Sequence, residues 1–423
     1  MTRTAPVKPS LRTRIAGVFA EPVLRALTIA TLVSAVGRGV SLTLVVLYLT
    51  LIVGLPADQV ALVFTIGAAA GIGASYLGGH LADVISARRM LVVATIVTGA
   101  ALAALVFVTE FWGALAIEIV VSIALSANGS VRSAIIARAF TGPARVSSRA
   151  VLRTVMNIGI AAGSGIAAIP LAIGTPMAYQ AVLVVGGVAY AASALLLLGL
   201  PARVDAPART VGEEAAPRGR SPWGDPRYLL FSAFSAVLAM LFSLANIGVP
   251  LWLAHDTVAP EFLLSIMLIV NTTLVILLQV PMSRGTHDLR RAGNVTALAG
   301  VLLAVACVAY GAAGGVGLTA AVVLLLAATV LHAFAEILSQ AGAWGLSFEL
   351  ADPDRAGAYQ GVYSMGFAIG SMVAPLVITA TALDHGLVGW VVLGAIFLAA
   401  ALGVTAIAYR AARTASPAAA EAD

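Results

Sequence analysis

The sequence predicts an all-α integral membrane protein of twelve transmembrane helices in two similar halves, and three observations carry that prediction. Of 423 residues, 61% are hydrophobic and only 10% are charged, against about 25% charged in a soluble domain. The apolar residues come in runs of about 20 or more, enough to cross a hydrocarbon core of roughly 30 Å as a helix. Stretches such as Ala321 to Leu331 do not alternate apolar with polar residues, which excludes a β-barrel built from alternating segments of about ten residues.

The helices are expected at 22–54, 58–80, 89–109, 111–139, 150–173 and 177–200, then at 227–254, 260–282, 293–312, 318–349, 355–382 and 387–410. A cytoplasmic segment (1–21) precedes the first six-helix bundle (22–200), and a cytoplasmic tail (411–423) follows the second (227–410). Between the bundles, 201–226 is rich in Pro, Ala, Arg and Glu and reads as a flexible cytoplasmic linker, because such a composition buries no core. The first twenty residues hold Lys8, Arg12 and Arg14 but no short apolar core with a small-residue cleavage site, so no removable signal peptide is expected.

Charge placement tests this segmentation. The formal charge of +5 records orientation rather than affinity for nucleic acid. With both termini cytoplasmic, Arg38 and Arg132 fall within helices, and every other Lys and Arg falls on the cytoplasmic side or its interface. The external connections carry Asp58, Glu110, Asp256, Glu261 and Asp384 instead. Cys307 is the single cysteine and lies in an apolar run, so neither an intrachain disulfide nor a cysteine metal site can form. No metal site and no cofactor are expected. A Gly-x-x-x-x-Gly-Lys-Ser/Thr loop is absent, which argues against ATP-driven pumping.

The halves echo one another. Gly142, Pro143 and Arg145, followed by Gly159 and Gly163, answer to Asp352, Pro353 and Arg355, followed by Gly366 and Gly370. Asp83, Arg88 and Arg89 answer to Asp288, Arg290 and Arg291. The pattern suggests parallel repeats related by an axis along the membrane normal. The glycines read as close-packing positions.

The loop after the second helix runs Gly78-Gly79-His80-Leu81-Ala82-Asp83-Val84-Ile85-Ser86-Ala87-Arg88-Arg89. Its glycines permit close helix approach, Asp83 can cap a neighbouring helix, and the arginines can pair with acids or lipid phosphates. This loop resembles the signature of the major facilitator superfamily, Gly-x-Leu-Ala-Asp-Arg-x-Gly-Arg-Arg. Gly79, Leu81, Asp83, Arg88 and Arg89 match, while Val84 and Ala87 replace the usual Arg and Gly. The resemblance implies two six-helix bundles around a central cavity lined by the first, fourth, seventh and tenth helices. It also implies a monomer that works by alternating access, with this loop as a gating motif that latches the cytoplasmic side in the outward-facing state. The Gly-Pro-x-x-Gly-Gly element of many drug-proton antiporters is missing from the fifth helix, which offers Arg153, Asn157, Gly159, Gly163 and Gly165. The outer part of the fourth helix, where those antiporters often carry an Arg, holds Glu118.

Ionisable residues inside a bilayer cost about 2.5–3.5 kcal/mol each and normally face water or protein. Here they are Arg38, Glu118, Arg132, His332 and Glu336, on the first, fourth and tenth helices. Glu118, Ser122, Ser126, Gly129 and Ser133 recur at helical spacing, with Arg132 adjacent, and form a polar face expected to line water. His332, Glu336 and Gln340 repeat on the tenth helix beside Trp344, and the seventh adds Ser243 and Asn246. Glu336, Glu118 and His332 are the proton-coupling candidates. Arg38, Ser122, Ser126, Arg132, Asn246, Gln340 and Trp344 are the candidates for the substrate cavity. Arg38 and Arg132 could pair with the acids, hold an anionic group of a cargo, or form static pairs that fix helix register.

The expected function is proton-coupled export of a small, partly apolar organic molecule, a drug or secondary metabolite, with Phe334, Trp344, Tyr359 and Tyr363 suiting such a ligand. The rival is import of a nutrient or organic anion. A membrane enzyme or sensor would need a nucleophile, a metal cluster or a soluble domain, and none is read, so no enzyme is expected. Abundant alanine and arginine with one lysine suggests a GC-rich bacterial source, hence the bacterial inner membrane.

Overall fold

The computed structural model describes residues 20–206 and 219–420. Lys8, Arg12, Arg14, the middle of the linker and the end of the tail lie outside the described residues. Among the described residues every regular element is helical, and twelve helices are long and apolar enough to cross a membrane. The first half holds α1 (Pro22–Ile52), α2 (Ala57–Ala82), α3 (Ala87–Phe107), α4 (Phe111–Ala139), α5 (Pro143–Ile173) and α6 (Pro176–Leu197). The second holds α7 (Pro226–Asp256), α8 (Leu263–Met282), α9 (Leu289–Gly315), α10 (Leu318–Glu349), α11 (Pro353–Leu383) and α12 (Gly386–Thr414). Side chains such as Leu77, Ile269, Leu277 and Val388 point outward, as they do on a multi-pass membrane protein whose outer surface meets lipid.

Local chemistry sets the helix starts. Glu21, Thr175 and Asp225 each accept a backbone N–H from the first turn of the helix they precede, and each is followed by Pro at the first helical position. Ser86 and Asp288 cap α3 and α9 in the same way. One expectation fails here. The fifth helix begins at Pro143 rather than 150, because Gly142 turns at φ 48 and Pro143 is preset for a first turn. The extra turns carry Arg145 and Arg149 inside a helix, where the sequence reading placed interfacial charges.

Lipid gives helices no hydrophobic reason to associate, so close backbone approach must do the work. In the first half, Gly159 and Gly163 of α5 lie against Ala35 and Val36 of α1. In the second, Gly366 and Gly370 of α11 lie against Ser232 and Ala236 of α7. The echoed glycines are therefore packing positions in matching helix pairs. The halves meet through α2 and α4 against α11, and through α5 against α8 and α10. Single wide turns of π-helix break α1 at Tyr48–Ile52, α7 at Leu244–Gly248 and α11 at Thr379–Leu383. The break in α7 places Asn246 on a cavity wall.

Candidate functional site

Twelve spans return the chain to the side where it starts, and that terminal side is sealed. Gly79 of α2 faces the carbonyl of Gly357 and the backbone of Gly361 on α11, so closely that a Cβ has no room. Directly below, the Asp83 carboxylate crosses to the second half. It accepts the backbone N–H groups of Gly357 (2.8 Å) and Ala358 (2.7 Å), which the first turn of α11 leaves unpaired. Arg138, at the end of α4, pairs with the same carboxylate, and both side chains are largely buried. Arg88 serves its own half instead. Its Nη1 donates to the Leu200 carbonyl (3.1 Å) and its N–H to Asp205 (3.0 Å). Arg89 is exposed.

The second seal was not read from the sequence. Arg145, Arg149 and Arg153 stand four residues apart, so they share one face of α5, and all three reach the second half. Arg145 lies 3.9 Å from Glu349. Arg149 donates to Gln360 (3.0 Å), and its guanidinium sits over the rings of Trp344 (5.7 Å), Phe348 (5.5 Å) and Tyr363 (5.5 Å). Arg153 Nη2 lies 3.0 Å from Glu336 Oε1 on α10. The four-residue spacing of arginines was the available signal, hidden by starting the helix too late.

Above that last pair a cavity of about 660 Å³ opens between α5 on one side and α7, α8 and α10 on the other, within the ~300–1,000 Å³ usual for small-molecule sites. Arg153 and Glu336 form its floor, and His332 and Asn246, both expected there, line its walls. Asn271 of α8 donates to Glu336 Oε2 (3.3 Å). Neither ring nitrogen of His332 has a partner, although the residue is 2% exposed. Its ring meets Tyr310 of α9 edge-on. The remaining wall is apolar or aromatic, including Phe242, Val249, Leu264 and Met267.

Several expected residues sit elsewhere. Ser122 donates to Glu118 (2.9 Å), and Ser122 and Ser126 face Gly67 and Gly71 of α2, so these two serines are packed against a helix rather than water. Arg132 pairs with no acid among the described residues. It donates to Thr31 (2.5 Å) and Asn128 (3.1 Å) inside the first half. Arg38 and Glu118 share a separate, smaller cavity of about 200 Å³ with Tyr190, and Arg38 makes no salt bridge among the described residues. Gln340, Trp344, Tyr359 and Tyr363 are buried outside the larger cavity. Trp344 and Tyr363 receive Arg149, and Tyr359 packs edge-on against Tyr228. The partner of Glu336 is thus Arg153 and not Arg38 or Arg132, because among the described residues it is α5 that presents an arginine to this acid of α10.

Residues 27–375 match the family model described as Major Facilitator Superfamily. No curated protein matches the chain. The fold is similar to the crystal structure of the human organic anion transporter MFSD10 (TETRAN), at 14% identity and TM-score 0.68 over 90% of this chain and 99% of that one. It is similar to a bacterial homologue of the iron transporter ferroportin in an outward-facing state, at 14% identity and TM-score 0.69 over 91% and 98%. It is also similar to the transporter FucP in the outward conformation, at 11% identity and TM-score 0.66 over 91% and 98%.

Proposed function

The chain belongs to the major facilitator superfamily of transporters, and from that premise we propose that it moves a small, partly apolar organic molecule across a bacterial inner membrane by alternating access, coupled to protons through Glu336. The observation that carries this reading is the Arg153–Glu336 pair, which joins the two halves at the floor of a cavity whose terminal side is sealed. With both termini cytoplasmic, that arrangement is outward-facing, as in two of the similar structures. The protein works as a monomer, since one chain supplies both walls.

A proton on Glu336 removes its charge and weakens its hold on Arg153, so protonation and the contact between the halves are linked. A cargo that changes the occupancy of this pair then exchanges free energy with the proton gradient. Export by antiport is the reading the largely apolar wall favours. Import of an organic anion is favoured by a second observation, a guanidinium at the floor with a buried donor left over.

Reconstituted vesicles with an imposed pH gradient test the proposal. Flux of a cargo should follow the gradient in the parent protein and lose that dependence in Glu336→Gln. Flux that ignores the gradient in the parent would remove proton coupling and leave facilitated transport.

A further inference from the structure

We infer that the cargo is an organic monocarboxylate, which takes Arg153 from Glu336 and travels with the proton that Glu336 then binds. The inference rests on the proposed transport reading and decides between its two directions.

The two partners of the pair are unequally satisfied. Glu336 is 5% exposed and both oxygens are engaged, Oε1 by Arg153 and Oε2 by Asn271. Arg153 is 20% exposed, uses only Nη2 toward the acid, and has a buried Nε–H without a partner. Nε–H and Nη2–H form one edge of the planar guanidinium, the edge that a carboxylate grips with both oxygens. Glu336 meets that edge with one oxygen only, its other oxygen being turned to Asn271. A free carboxylate can grip it with both, and it gains the hydrogen bond that the resting pair lacks. Phe242 lies 4.9 Å beneath the guanidinium and continues into the apolar wall, which suits an apolar or aromatic body attached to that carboxylate. His332 lines the same cavity, with both ring nitrogens buried behind its surface.

An organic cation fits less well. It would have to reach the more buried partner, displace two donors, and leave Arg153 without an acid. The other titratable groups lining the cavity are His332, on the helix of Glu336, and Tyr310 on α9, and neither supplies a negative charge there. The nearest further cation, Arg149 one turn along α5, is committed to Gln360 and three aromatic rings.

The exchange balances. The Nη2–H to Oε1 contact breaks, and two N–H donors of Arg153 pass to the cargo carboxylate. Glu336 keeps Asn271 and takes one proton from solvent. An anion and a proton enter together, the site stays neutral, and the coupling is symport.

The test uses the purified full chain in weakly buffered detergent with a pH-indicator dye and three probes of one shape, phenylbutyrate, phenylbutyramide and phenylbutylamine. Phenylbutyrate should bind with uptake of one proton per molecule, at least about tenfold more tightly than the amide. Glu336→Gln should still bind it but take up no proton, and Arg153→Gln should lose the preference for carboxylate over amide. If Arg153→Gln does not fold, the Glu336→Gln result decides. Equal binding of the amide, or uptake that persists in Glu336→Gln, overturns the inference. Binding of the amine with proton release also overturns it and supports antiport. Failure of phenylbutyrate while vesicles move another compound down the pH gradient overturns the cargo class alone. Absence of gradient-driven flux removes the proton coupling on which the inference rests.

Discussion

The two loops that the sequence pairs as repeats, one holding Asp83 and the other Asp288, perform different tasks. Asp288 accepts the N–H of Arg291 (2.7 Å) and stays within its own half as a helix cap. In the first half Ser86 makes the matching contact with Arg89 (3.2 Å). Asp83 is thereby free to reach α11 and to pair with Arg138. Duplicated halves can thus share a backbone plan while one side chain, relieved of a local role by its neighbour, becomes the contact between them. The α5 arginines repeat the lesson, since they serve the other half, whereas Arg355 after the matching Asp-Pro turn makes no salt bridge among the described residues.

Substitutions can break this contrast, beginning with the largest effect. Asp83→Ala removes the partner of buried Arg138 and two helix-start N–H groups, and should weaken the sealed side by about 3 kcal/mol. Hydrogen–deuterium exchange at Gly357 and Ala358 should accelerate, and unchanged exchange there would deny the latch. Arg149→Met removes a desolvated cation from three rings and should cost about 2 kcal/mol of the sealed state, read as faster exchange along the first turns of α11. Gly79→Ala adds a methyl against the Gly357 carbonyl and should cost about 1–3 kcal/mol, whereas Gly73→Ala, with open space at its Cβ, should be silent in thermal unfolding. Smallest is Asp288→Ala, about 1 kcal/mol as a lost cap, with exchange at Gly357 untouched. If Asp288→Ala opens α11 as Asp83→Ala does, the two loops are not functionally distinct.

Hydropathy made the helices legible because each span must bury its own backbone bonds and announces itself by length. Glu336, His332 and Asn246 were legible for a related reason, since a polar group in a long apolar helix needs a protein or water partner. Partner choice was not legible. Arg153 reads as an edge charge until Gly142 and Pro143 are seen to start the helix earlier, and Arg132 reads as a cavity cation until Thr31 and Asn128 claim it. The serine stripe of α4 misled for a physical reason, because small polar side chains also suit close packing against glycine.

The placement of Arg149 against Trp344 has an optical consequence. An indole beside a fixed guanidinium has an emission set by that charge, and Trp344 is 4% exposed while the terminal side is sealed. Arg149 belongs to α5 and Trp344 to α10, so parting of the proposed halves separates cation and ring. On the proposed alternating-access reading, the protein carries a native fluorophore at the seam that opens, and the Trp344 share of its emission reports which way the molecule faces, with no label attached.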